Sequence, residues 1–405
     1  MNLADVGRQL GVQSVVTGSV RKADGKLRVS VQLVDAAAGK ELWSDTYDRA
    51  AADVFAVQSE IAHAIVTALE VRLSAPTDSA LGARATQDLG AYELYLQGRF
   101  ALGQRTDATI PEAARAFQAA VARDSSFARA WAGLAEAEIL LPLYGTATRP
   151  ADAWRVAEHA ARRAIALDST LVEAHTALAY GTMLYAWDWP AAERAIQRAI
   201  AADPRYPSAH HWYADFLAGR GRLDEARAEF TRARALDPLS RIIAVEQAWA
   251  LANLHRTAEA DSVLAGVLRL DPNFAHATLI RAPIRSDQGR YAEALADIRR
   301  ADELGGFQAY MPAGRIRAFL GLGRRDSAEA EIASLRRRAA RGTVPPFAFA
   351  AAFAALGAPD SAFAWLDRGI RERDGFLPEN FFDRMFTPLV TDPRYPPIAR
   401  LIRGD

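Results

Sequence analysis

Seven histidines are the natural starting material for metal or acid–base chemistry in this chain: His63, His159, His175, His210, His211, His255 and His276. His210 and His211 are adjacent, which on a helix sends them about 100° apart and makes sharing an ion difficult. No His-Glu-x-x-His and no cluster at metal-ligand spacing accompanies them. His211 and Asp215 stand four apart on one helical face, where imidazole and carboxylate can hydrogen-bond. Gly321-Leu322-Gly323 has the spacing that opens a dinucleotide loop, but no strand precedes it. Asp374-Gly375-Phe376 stands without any other kinase element. Gly-x-Ser-x-Gly, P-loop and EF-hand patterns are missing, and there is no cysteine for a thiolate, a disulfide or a cysteine–zinc site. The expectation is no catalytic residue, no cofactor and no metal: a binding protein, not an enzyme.

Composition narrows the partners. Lys+Arg and Asp+Glu are equal at 49 each, so nothing favours non-specific contact with nucleic acid or an acidic membrane surface. Half the residues are apolar, which speaks against a disordered chain. The start, MNLADVGRQLGV, lacks a basic-then-apolar signal pattern. The longest apolar run, Phe347 to Leu356, falls well short of the ~20 residues that span a bilayer. A cytoplasmic location is expected, or an exported one if the chain is a piece of a membrane-anchored parent.

The elements that position these residues fall into four parts: 1–75, a linker at 76–90, 91–375, and 376–405. In the first, Leu3 to Leu10 reads as a short helix. Ser14 to Lys22 reads as a strand, and Asp24-Gly25 supplies a tight turn. Leu27, Val29, Val31 and Leu33 alternate with polar residues as in a half-buried antiparallel strand. Glu41 to Tyr47 makes a third strand, and a helix from Asp53 carries Val54, Ile61, Ile65, Leu69 and Leu73. The stretch Leu10 to Leu69 resembles the later half of the TolB-like (FlgO-like) α/β domain, which precedes helical-repeat arrays in bacterial signalling proteins. The opening strand, helix and second strand of that domain have no counterpart here. A truncated sequence, dimerisation through the exposed sheet edge of residues 14–47, or packing of the sheet on the following repeats would each account for this. Nucleotide binding by this remnant finds no glycine-rich loop to support it.

From residue 91 the chain repeats. Ala192, Ala226, Ala260, Ala294, Ala328 and Ala362 lie 34 residues apart, with Ala157 and Ala113 before them at longer spacings. A larger inward residue follows each by four, from Phe117 to Leu366, and a small or apolar one three further on. Units end in Asp124-Ser125, Asp168-Ser169, Asp203-Pro204, Asp237-Pro238 and Asp271-Pro272, where the aspartate can cap and the proline cannot continue a helix. A period of 34 identifies tetratricopeptide repeats. The fold expected is mainly α: a right-handed α-solenoid of about eight helical hairpins preceded by a partial α/β domain with three antiparallel strands. The apolar tail, with Phe381, Phe382, Met385 and Phe386, reads as the cap that covers the last unit.

Tyr185-Ala186-Trp187-Asp188-Trp189, Ala209-His210-His211-Trp212-Tyr213-Ala214 and Asp392-Pro393-Arg394-Tyr395 are similar to a subfamily of bacterial signalling proteins. In these the array is the regulatory half, joined to a kinase, a cyclase or a winged-helix domain. The resemblance implies a protein-interaction scaffold that binds a peptide or partner protein in its concave groove. The effector half of a transcription regulator lacking its DNA-binding domain is the alternative. The family geometry places Tyr180, Met183, His211, Asp215, Trp249, Asn253, His276, Tyr310 and Arg317 along that groove. It does not reproduce the Lys/Asn clamp by which chaperone-binding relatives hold a terminal carboxylate.

Overall fold

The computed structural model describes residues 7, 12–50, 54–69, 86–144, 148–306, 309–340 and 344–404. The helix expected at Leu3–Leu10, the Asp53 cap, Leu73 and most of the 76–90 linker lie outside them. The chain divides into two compact units, Met1–Leu89 and Gly90–Asp405.

In the first unit β1 (Ser14–Ala23), β2 (Lys26–Asp35) and β3 (Glu41–Ala50) form an antiparallel sheet in the order β1-β2-β3. Asp24 and Gly25 turn β1 into β2 with φ of 49° and 72°, the left-handed pair that a two-residue hairpin needs. Helix α1 (Val54–Ala68) packs on β2 and β3 and covers Leu27, Val31, Leu33 and Tyr47. Among the residues of α1 whose side chains are described, Val57 is fully buried. Leu69, expected on the inward stripe, is 41% exposed, because the helix ends at Ala68. On the same sheet face as Leu33 and Val29, β1 presents their register partners Val16 and Val20, left 49% and 67% exposed.

The second unit is an α-solenoid of eight helical hairpins. The first helices of the pairs are α2 (Leu89–Gln104), α4 (Ala128–Leu140), α6 (Val172–Gly181), α8 (Pro207–Ala218), α10 (Arg241–Asn253), α12 (Ala275–Asp287), α14 (Met311–Gly321) and α16 (Pro346–Leu356). The second helices are α3 (Thr109–Arg123), α5 (Pro150–Leu167), α7 (Trp189–Ala202), α9 (Leu223–Leu236), α11 (Thr257–Leu270), α13 (Tyr291–Glu303), α15 (Arg325–Ala339) and α17 (Pro359–Glu372). The alanine ladder marks the closest contact within each pair: seven of its eight members are 0% exposed and Ala192 is 1%. Phe117 shows why the neighbouring positions stay small. A Cβ on Gly98 or on Gly133 would fall 2.7 or 2.5 Å from its ring, inside van der Waals contact.

The aspartates that end the units stop their helices, and the structure shows how. Asp124, Asp168, Asp203 and Asp271 sit at the C-caps of α3, α5, α7 and α11. Each carboxylate accepts the backbone N–H two residues on, at 2.9–3.0 Å, forming an Asx turn that ends one helix instead of starting the next. The solenoid also meets itself: Asp107 N–H donates to the Gly305 carbonyl at 3.1 Å, and the Arg241 guanidinium to the Gly103 carbonyl at 3.2 Å. The first hairpin of the array thereby contacts the fifth and the sixth.

Candidate functional site

After α17 the chain turns at Arg373, a left-handed C-cap with φ 51°. The buried Asp374 carboxylate then accepts the N–H of Phe347 at 2.7 Å and of Phe376 at 3.0 Å. Burial pushes its carboxyl up to about 6, against the lowering effect of those two donors. The turn places Phe376 in a stack on Phe347, with ring centroids 5.3 Å apart, and Phe386 edge-on to the same ring. Phe381 joins Phe386 and stacks on Tyr395. These rings cover the apolar face of α16, as a solenoid end requires.

Anchored this way, the short helix α18 (Leu377–Asn380) and the 3₁₀ turn at Arg384–Leu389 run against first helices of the hairpins. Tyr180 on α6 donates its hydroxyl to Glu379. The Tyr310 hydroxyl, at the start of α14, donates to Asn380 at 2.9 Å. Trp249 and Asn253 on α10 donate to Asp383 at 2.6 and 3.3 Å, and Asn253 returns its carbonyl to the Arg384 N–H at 3.3 Å. Arg384 and Arg317 both pair with Asp287. The tail closes with α19 (Tyr395–Arg403) against α7 and α8. There Arg220 lies 3.7 Å over the Trp189 ring and donates to the Ile402 carbonyl. Burial lowers that guanidinium to about 9.

Of the nine groove candidates, five (Tyr180, Trp249, Asn253, Tyr310, Arg317) engage the tail or the ion pair it joins. Met183 is buried in the π-helical extension of α6 (Thr182–Ala186). His211 and Asp215 are buried, with Nε2 and Oδ2 3.5 Å apart, longer than a good hydrogen bond. Burial lowers His211 to about 3, so its ring is neutral. His276 Nε2 lies 2.8 Å from Glu246. His210 points the other way, to Glu229 at 2.6 Å and the Pro204 carbonyl at 3.0 Å. Among the described residues no group of three His, Asp or Glu side chains could hold a metal ion, and no helix is long and apolar enough to cross a membrane.

Next to the 3₁₀ turn the groove keeps a cavity of about 540 Å³, walled by Trp249, Leu279, Pro283, Arg317, Met385 and Pro388. Pro283 lies within α12 and has no N–H to donate to the Leu279 carbonyl one turn back.

The sequence reading missed Glu379, Asp383, Arg220 and Glu246. The two tail acids sit in a segment read only for its apolar residues, and no period marks them. Arg220 belongs to a turn whose Gly-Arg-Gly-Arg pattern signals a loop and nothing about burial.

A family model for the tetratricopeptide repeat matches residues 184–241 and 245–309, from within the third hairpin through the sixth; the array carries tetratricopeptide repeats. "Putative adenylate cyclase 3" of Rhizobium meliloti (strain 1021) is 37% identical over 133 residues, 33% of this chain and 23% of that protein. The match thus spans less than a quarter of the relative's length. Among solved structures, yeast Tom70 is 14% identical, with a TM-score of 0.44 over 78% of this chain and 69% of that one. The APC/C hetero-tetramer Cut9-Hcn1 is 14% identical, with a TM-score of 0.49 over 71% and 53%. PilF of Pseudomonas aeruginosa is 22% identical, with a TM-score of 0.41 over 53% and 93%.

Proposed function

We propose that the chain is a non-enzymatic protein-interaction scaffold of a bacterial signalling system. Its concave groove takes an extended segment of a partner protein along the path now followed by residues 376–389. One observation carries this reading: the groove already holds a peptide, its own tail, by phenol, indole and amide donors set on Glu379, Asn380 and Asp383. Rigid rings give contact area and their polar tips give register, which is how peptide grooves work. The donors face carboxylates and an amide, so the partner segment is acidic or amide-rich. Its affinity is reduced by the fraction of molecules whose tail is docked. The signalling setting draws support from the likeness to a protein named as a putative adenylate cyclase.

The test uses two variants that break one hydrogen bond from opposite sides. Asp383→Ala frees the tail and leaves the groove intact; Trp249→Ala damages the groove. Affinity capture from bacterial lysate should rise with the first and fall with the second. Equal effects of the two, or no effect of either, would overturn the reading.

A further inference from the structure

Behind Phe376, Glu379 and Asn380, at the centre of the array, lies a second cavity of about 50 Å³. It exceeds the ~10–15 Å³ that one water needs and is well below the ~150 Å³ that admits benzene. Three carboxylates line it: Asp215 from α8, Glu246 from α10 and Glu379 from the tail. The cations on the same wall are Arg105 and, when protonated, His276. Arg105 is shared with Glu136 at 3.5 Å, and His276 is held by Glu246. At least one carboxylate is therefore unbalanced.

Asp215 is that carboxylate. It is 8% exposed, its side-chain ion-pair contact is His211 at 3.5 Å, and Glu379, Glu246 and Arg105 act on it from the same wall. His211 is 5% exposed, and its Nε2 is buried without a hydrogen-bond partner. An isolated buried carboxylate is costly and demands a proton or a counter-ion. The remaining wall is made of aromatic rings, including Tyr180, Trp249 and Tyr310, and of aliphatic side chains such as Leu140 and Ile242, and rings beside carboxylates are the chemistry that recognises nitrogen cations. The acids surround the cavity without any three of them converging on one point as metal ligands would. An ion that spreads several N–H donors over separate acceptors matches this placement.

We infer that the central cavity binds a small ammonium-type cation, ammonium or a short alkylammonium, with Asp215 as its main carboxylate and Glu246 and Glu379 beside it. Glu379 arrives with the tail, so the site is complete only in the docked state, and cation binding and docking reinforce each other.

A proton is the competing occupant. Burial first, and then the neighbouring acids, raise Asp215 well above the usual carboxylate range. Burial and Glu246 push Glu379 up to about 8, against Tyr180 and Arg105. The phenols of Tyr144, Tyr180 and Tyr310 complete the titratable groups of the wall. Displacing one proton held at a pKa near 8 makes cation affinity about tenfold higher at pH 9 than at pH 7.

The experiment is calorimetric titration of the full chain with methylammonium chloride, in sodium buffers of constant ionic strength at pH 7 and 9. Ammonium, potassium and tetramethylammonium chlorides serve as comparison arms. Saturable heat with methylammonium and ammonium, about tenfold tighter at pH 9 and lost in Asp215→Asn, is the expected result. Glu379→Gln, which alters only the tail, should weaken binding at pH 9 by at least tenfold and serves if the first variant fails to fold. No saturable heat at pH 9, equal binding of tetramethylammonium or potassium, or binding unchanged in both variants would overturn the assignment.

Discussion

Replacing Gly219 by alanine separates the tail from the groove without touching any group that would bind a partner. Gly219 ends α8 with φ −63° and ψ −12°, a conformation alanine adopts freely and prefers by up to ~1 kcal/mol in a helix. The added Cβ, however, would sit 1.9 Å from the Pro378 carbonyl oxygen and 2.9 Å from its carbon. Ordinary contact lies at roughly 3.5 Å, and the obstacle is backbone, so the tail has to retreat by more than an ångström. The hydrogen bonds of the next residues, Tyr180 to Glu379 and Trp249 to Asp383, are then lost. The bond to Asp383 is worth ~1.5 kcal/mol as one to a carboxylate and that to the largely protonated Glu379 ~1 kcal/mol, so docking weakens by ~2.5 kcal/mol, roughly fiftyfold or more. Trypsin reads this directly, because cleavage of a transiently open segment tracks its open population. Cutting after Arg384 and Arg394 should accelerate at least tenfold, while far-ultraviolet dichroism stays that of the wild type. Unchanged tail protection in Gly219→Ala would refute the reasoning.

Three further outcomes follow from the same contacts. Arg220→Ala removes the guanidinium between Trp189 and the Ile402 carbonyl; it should cost the tail about 2 kcal/mol, seen as faster hydrogen exchange over residues 395–403. Asp374 and Glu379 have docked-state pKa values of about 6 and about 8, both above their ordinary 3.8 and 4.5. Protonation therefore favours docking, and this contribution, full below about pH 4, is lost as pH rises through about 6 for Asp374 and about 8 for Glu379. In sodium buffer the first thermal transition should come at a lower temperature at pH 9 than at pH 6, with Glu379→Gln flattening the upper part of the curve. Phe117→Ala empties a fully buried site between Gly98 and Gly133 and should cost ~3–5 kcal/mol by urea denaturation.

The repeat was legible because its spacing is covalent. An alanine every 34 residues places the same small side chain at the same contact in each hairpin, and those positions are the ones fully buried. The three strands were legible for the same reason: alternation along Leu27–Leu33 and the Asp24-Gly25 turn are local signals. The path of the tail was not legible. Phe376, Phe381 and Phe386 announce that the segment is buried, but not that their packing on Phe347 sends Glu379 and Asp383 to helices more than a hundred residues earlier. Such contacts depend on the curvature of the whole solenoid, which returns the first unit to the sixth through Asp107 and Gly305. That Tyr180, Trp249, Asn253 and Tyr310 meet the chain's own tail was not reachable from family geometry. His211 and Asp215, read as a hydrogen-bonding pair, lie slightly too far apart and belong to a cavity that no spacing rule describes.

The most direct test of the account is a reversible lock between tail and groove. The chain has no cysteine, so a pair introduced at Asn253 and Arg384, where the backbone N–H of one already meets the side chain of the other at 3.3 Å, is free of competing thiols. Partner capture from lysate is then measured with the pair oxidised and again after dithiothreitol. Capture suppressed when oxidised and restored on reduction is the predicted result. Capture that is the same in both states would contradict the claim that the partner and the tail share one groove.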